Sequence, residues 1–183
     1  YNIPLTGGVD VAIVTDPEQP NTIIQILDKQ PKRADLTYKD RRDGLMRSLY
    51  NDMLSSRIEE LTQKAVLPFL YGYAGYSSFL SNLDAFMSVV VIKGNAIEKG
   101  LKAVVDELTR AKKFGFTASE FERAKKNYLV AQENAYKEKD KTDSEALIDG
   151  LVSAFLVDEP LTSIEFVYEF TKQNLEGIKL EEV

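Results

Sequence analysis

Between Phe69 and Leu80 the chain alternates with a period of two, and it returns as Phe86–Ile92, a run that is apolar on both sides. Phe69, Tyr71, Tyr73, Gly75, Ser77 and Phe79 fall on one side of an extended strand, and Leu70, Gly72, Ala74, Tyr76 and Leu80 on the other. Ser81-Asn82-Leu83-Asp84 turns the chain between the two runs. A strand without a polar face belongs inside a sheet. The small residues Gly72 and Ala74 leave room for a helix to lie close against the second side. The remainder of the chain is then cover for this sheet.

Helical periods flank it. Thr37 with Asp40 reads as a capping box opening a long helix, whose apolar stripe is Met46, Leu49, Tyr50, Met53, Leu54, Ile58 and Leu61 and which Pro68 closes. Asn95 with Glu98 opens the next, with Ile97, Leu101, Val104, Val105 and Leu108 as its buried stripe and Gly115 at its end. Thr117 with Glu120 starts a third helix carrying Phe121, Ala124, Tyr128, Ala131 and Ala135. A fourth begins near Thr142 and buries Leu147, Leu151, Ala154 and Phe155; a fifth runs from Thr162 to Gly177 and buries Val167, Phe170 and Leu175. Lys179–Val183 reads as the opening of a sixth. Upstream, Val9–Thr15 and Thr22–Leu27 are rich in β-branched residues around the Pro17 and Pro20 turn and are expected to pair as a hairpin, followed by a Pro31–Asp35 loop. The expected order is β-β-α-β-β-α-α-α-α, an α+β domain with an antiparallel or mixed sheet and helices on one face. Residues 1–183 form one domain.

Composition removes several kinds of chemistry. There is no cysteine, so disulfides and thiolate sites are excluded, and no histidine, so an imidazole base or zinc ligand is excluded as well. The net charge of -6 argues against nucleic acid as a partner. No apolar run is long enough to span a bilayer. Asp16, Glu18, Asp28 and Asp35 lack the spacing of a calcium loop, and the adjacent Glu59 and Glu60 point in different directions on a helix. Gly7-Gly8 is followed by neither a lysine–hydroxyl pair nor a helix, so it is no phosphate loop. The residues best suited to touching a ligand are the aromatics Phe69, Tyr71, Tyr73 and Phe79, whose rings could stack sugars or line a peptide groove, or serve as ordinary core or domain-interface packing.

Three stretches resemble the pitrilysin/insulinase family of zinc peptidases, and specifically its non-catalytic repeat. Ser56-Arg57-Ile58-Glu59-Glu60-Leu61 followed by Gly72-Tyr73-Ala74-Gly75-Tyr76 is similar to the family's passage from helix to central strand. Lys93-Gly94-Asn95 before Ile97–Leu108 is similar to its next turn and helix. Gly115-Phe116-Thr117-Ala118-Ser119-Glu120-Phe121-Glu122-Arg123-Ala124-Lys125 resembles its "G-x-T-x-x-E-L-x-R-A-K". The opening, with Val14-Thr15-Asp16-Pro17-Glu18, resembles the bacterial members.

The resemblance implies a mitochondrial processing peptidase-like fold and an internal domain of a larger peptidase that follows the catalytic domain. In that family the zinc site is an inverted H-x-x-E-H motif with a further glutamate, all on the catalytic domain, so no cofactor is expected in this chain. The Arg–Tyr pair by which some members hold substrate is absent, since the comparable positions are near Ala85 and Ile97. The implied partners are the catalytic domain of the same polypeptide and an unfolded peptide held in a chamber between domains, in the periplasm. The resemblance gives Arg57 a structural part, bonding a loop carbonyl or a carboxylate. The alternative is a peptidase-like scaffold or assembly module without proteolytic activity.

Overall fold

The computed structural model describes residues 3–5, 7–63, 69–92, 94–157 and 160–183. Expectations about Pro68 as a helix stop and Lys93 as part of a turn lie outside these residues. The elements are β1 (Thr22–Pro31), α1 (Tyr38–Thr62), β2 (Phe69–Leu80), β3 (Leu83–Ile92), α2 (Ile97–Phe114), α3 (Ala118–Lys137), α4 (Ser144–Val157) and α5 (Ile164–Asn174). The three strands form one antiparallel sheet in the order β1-β3-β2, which puts the doubly apolar β3 in the centre. Helices α1 and α2 pack on one face of it, α3 packs in turn on α1, and α5 packs on α3.

Helix α1 therefore serves two cores. Leu54 and Ile58 turn toward Phe69, Ala74, Val90 and Ile92 of the sheet. Leu45, Leu49 and Met53 turn toward Phe121 and Ala124 of α3 and Phe170 of α5. The start of α1 is the expected reciprocal cap: Asp40 N–H donates to Thr37 Oγ1 at 3.1 Å, and Thr37 N–H donates to Asp40 Oδ2 at 2.9 Å. A Cβ on Gly72 would stand 2.7 Å from Ile58 Cγ2, so the glycine permits this approach of helix to strand.

Five expectations are corrected. Val9–Thr15 is no strand: Val9, Val11, Ile13 and Val14 stand more than four-fifths exposed. β1 pairs with β3 from Thr22↔Ile92 to Pro31↔Leu83 instead. An isolated two-stranded ribbon is marginal in water, whereas pairing with β3 sets Ile24 over the sheet–helix core. In α2 the buried face is Gly100, Val104, Glu107 and Ala111, while Ile97, Leu101 and Val105 are exposed. Its N-cap is Ala96 without a side-chain bond, not Asn95. The helix α4 forms as expected, but Leu147, Leu151 and Phe155 are exposed rather than buried. The N-cap of α5 is Ser163, whose Oγ accepts from Phe166 N–H, in place of Thr162.

The turn of α2 brings Glu107 inward for an electrostatic reason. Arg57 on α1 is 5% exposed and lies with Glu107 Oε1 at 3.5 Å from its Nη1. Its Nε and Nη2 donate to the two oxygens of Glu120 at 2.5 and 2.8 Å, and Nη2 also donates to the Gly115 carbonyl at 3.0 Å. The guanidinium sits over the Phe116 ring, 4.5 Å from its centroid. Gly115 itself ends α2 at φ +63°, a backbone angle that favours glycine. One arginine thus ties α1 to both ends of the α2–α3 connection, the structural part expected of it.

The Arg57 guanidinium and the Thr117 cap hold the Glu120 carboxyl at about 2, against an ordinary 4.5. Folding gains from its ionised form, so this contribution is complete above about pH 4.5 and is lost as pH falls toward 2. The loss is on the order of 2–3 kcal/mol. Urea unfolding at pH 6 and pH 3 is expected to show this difference, and Glu120→Gln is expected to flatten it. Equal pH slopes in the two proteins would count against the assignment.

Candidate functional site: the bare face of the sheet

The strand β2 does not alternate cleanly from end to end. Phe69 pairs with Ile92 and Tyr71 with Val91, so a bulge at Leu70 shifts the pleat by one residue. Phe69 is thereby turned onto the helix-covered face, where it is 2% exposed among Ile92, Val90 and Val104. Leu70 is exposed rather than buried. Beyond the bulge the expected alternation holds, with Gly72 and Ala74 against the helices and Tyr71 and Tyr73 on the opposite side. A second irregularity between Ser78 and Leu80 leaves Phe79 partly exposed next to the β2–β3 turn. Tyr71 and Phe79 stand roughly 25 Å apart along the strand.

The four aromatics picked from the sequence therefore do not form one stripe. Tyr71 and Tyr73 share a surface; Phe69 belongs to the core; Phe79 lies at the far end. Around the tyrosines the register assembles residues that sequence reading did not connect with them. Val91, Val89 and Met87 alternate along β3, and Ile23, Gln25 and Leu27 stand opposite them on β1. Ile23 and Leu27 are exposed, and Gln25 Nε2 donates to Met87 Sδ at 3.3 Å. The signal for these residues was the alternation in β1. It could be used only once β1 was known to pair with β3.

The surface is apolar and aromatic with a few amide and hydroxyl groups. It can hold an extended chain or a neighbouring domain by area and stacking. It offers no nucleophile and no base. Among the described residues, no three acidic side chains converge to hold a metal ion, and no helix is long and apolar enough to cross a membrane.

The two outer edges of the sheet differ. The β2 edge is capped from α1, where Asn51 Oδ1 accepts from Tyr76 N–H and Nδ2 donates to Tyr76 C=O, both at 2.8 Å. Ser55 Oγ donates to the Ala74 carbonyl at 3.2 Å. A Cβ on Gly75 would meet Asn51 Oδ1 at 2.7 Å, so this clasp needs a glycine there. At the other side, β1 is the terminal strand.

No protein-family model matches the chain, and no curated protein does. Among solved structures it is similar to the first half of the periplasmic protease PqqL from Escherichia coli, with a TM-score of 0.79 and 20% identity over 88% of this chain and 35% of that one. It is similar to a predicted insulinase family protease from Yersinia pestis, with a TM-score of 0.76 and 12% identity over 87% of this chain and 35% of that one. It is also similar to a peptidase M16 inactive domain from Pseudomonas fluorescens, with a TM-score of 0.59 and 18% identity over 88% of this chain and 36% of that one. The chain spans 35 to 36% of the length of each of these. At 12 to 20% identity the likeness is one of fold.

Proposed function

We propose that this chain is the non-catalytic domain of a zinc-dependent metalloendopeptidase of the pitrilysin/insulinase family. Its part is to supply a wall of the peptide-binding chamber and to pack against the catalytic domain. The observation that carries this reading is the one-sided cover of the sheet: helices on one face, and on the other Tyr71, Ile23 and Leu27 exposed, with Tyr73 and Val91 half-buried beside them. The exposed apolar positions of α2 and α4, among them Leu101, Leu147, Leu151 and Phe155, support packing against a further domain. The fold shared with protease chains, and the motifs quoted above, point the same way.

In this reading the zinc, its ligands and the general base belong to the catalytic domain of the same polypeptide. There the metal would activate the attacking water. This chain's own share is to hold an unfolded peptide as an extended segment over the tyrosine-bearing face. The periplasm is the compartment this proposal assigns.

The reading is tested first in the reading frame upstream of Tyr1, where an H-x-x-E-H motif is expected; its lack would move the assignment to a peptidase-like scaffold. The isolated chain is expected to take up no stoichiometric zinc and to leave an unfolded peptide intact. In the active full-length protein, Tyr71→Ala with Tyr73→Ala is expected to raise KM for an unfolded peptide about fivefold, with kcat little changed. An unchanged KM would remove the tyrosine face from the chamber.

A further inference from the structure

The outer edge of β1 lacks the usual guards. Thr22-Ile23-Ile24-Gln25-Ile26-Leu27 holds no charge, glycine or proline, and apart from Thr22 and Gln25 it is isoleucine and leucine. A strand paired on one side aims the backbone N–H and C=O groups of every second residue away from its partner. Among the described residues, no backbone group of Thr22–Pro31 bonds outside the β1–β3 ladder. Folded proteins protect such an edge with charge, proline, a bulge or a covering segment. Here Asp28, Lys29 and Pro31 come only at the far end, and the register runs without a shift from Thr22↔Ile92 to Pro31↔Leu83. Val9–Thr15 just upstream belongs to no strand, and its valines stand more than four-fifths exposed.

This run is complementary to itself. Two copies of an edge strand related by a two-fold axis through the sheet pair antiparallel, with residues of the same face opposite each other. With the axis at Gln25, the two Gln25 side chains meet, Ile23 lies across from Leu27 of the second copy, and Ile24 lies across from Ile26. Ile23 and Leu27 belong to the bare face, where they are 52% and 36% exposed. Ile24 and Ile26 belong to the other face and are half-buried. Thr22 comes opposite Asp28, which keeps the two aspartates apart. Neighbouring registers are worse. An axis at Ile26 sets Asp28 and Lys29 against Ile24 and Ile23, and an axis at Ile24 carries Leu27 past the start of β1 to Asn21.

We propose that β1 is a self-association edge, through which two copies of this chain pair along Thr22–Asp28, antiparallel about Gln25, into one continuous sheet. The contact is isologous, so association stops at the dimer. A single strand edge is small beside a standard protein interface, and the dimer is correspondingly weak, with a Kd on the order of 10–100 µM. The inference is independent of the proposed function. It uses the border of the sheet and leaves Tyr71 and Tyr73 on the open face of both copies.

Sedimentation of the chain over concentrations spanning that Kd is expected to fit a monomer–dimer equilibrium. Gln25→Lys sets two ammonium groups against each other at the axis and is expected to weaken the dimer about tenfold. Gln25 is exposed and its side chain bonds only Met87 Sδ, so its variants keep the fold. The sequence has no cysteine, so single cysteine substitutions read the register directly. Gln25→Cys is expected to give a disulfide-linked dimer on mild oxidation, since Cβ atoms directly opposite stand about 5 Å apart. Asp28→Cys and Tyr71→Cys are expected to stay unlinked, because in this register the two copies of either residue are roughly 20 Å apart or more. A chain that stays monomeric, growth past the dimer, or a Gln25→Lys variant that associates like the parent would overturn the proposal. So would linkage through Asp28→Cys or Tyr71→Cys while Gln25→Cys stays unlinked.

Discussion

Arg57→Leu is expected to lower the unfolding free energy by about 3–5 kcal/mol, the usual result of removing one partner from a buried ionic cluster. The deletion leaves Glu107, whose side chain is 7% exposed, with Arg110 as its one cation among the described residues, and it strips Glu120 of both guanidinium bonds. The Gly115 carbonyl loses its donor as well. In a domain of this size that corresponds to a fall in Tm of roughly 6–20 °C. The triple change Arg57→Leu, Glu107→Leu, Glu120→Gln is expected to recover much of it, since no uncompensated charge then remains in the core. Thermal unfolding of the single and triple variants decides the matter. A single variant within about 1 kcal/mol of the parent would show that the cluster is solvated in solution.

The second large effect separates two rings that stand two positions apart. Phe69→Ala is expected to cost about 3–5 kcal/mol, the range for truncating a buried aromatic, because Phe69 fills the space between β3 and α2. Tyr71→Ala is expected to change stability by less than about 0.5 kcal/mol, as for other exposed positions, because Tyr71 is 59% exposed on the bare face. The contrast depends wholly on the bulge at Leu70. Equal costs for the two substitutions in urea unfolding would mean that the pleat runs unbroken, with both rings on one side.

That bulge also shows where sequence reading stops. Periodicity located β2, β3 and the helices α1 to α5, and the caps at Thr37 and Thr117 set two helix starts, because those signals are local. The central place of β3 was legible from its doubly apolar composition. Pairing was not. Val9–Thr15 and Thr22–Leu27 look like partners by proximity, and nothing in their own residues says that β1 finds a better one across the sheet. The face buried by α2 was read correctly at Val104 and Leu108 and misread at Ile97, Leu101 and Val105, for a related reason. Ile97, Leu101 and Val105 are the larger apolar residues, but Glu107 has a charge to meet, and Gly100 and Ala111 allow the closer approach. Of the candidate site, Tyr71 and Tyr73 were visible as alternating aromatics. Their neighbours on β1 and β3 depend on register, which is a property of two strands and not of either alone.

The amide of Asn51 has a consequence for how molecules of this chain can meet. A ribbon that grows without limit needs every unit to present two free borders. Here α1 occupies one border along Ala74–Tyr76, and β1 is the terminal strand at the other. Addition at β1 by a second molecule would leave a β2 border held by Asn51 at each outer side, which disfavours further growth.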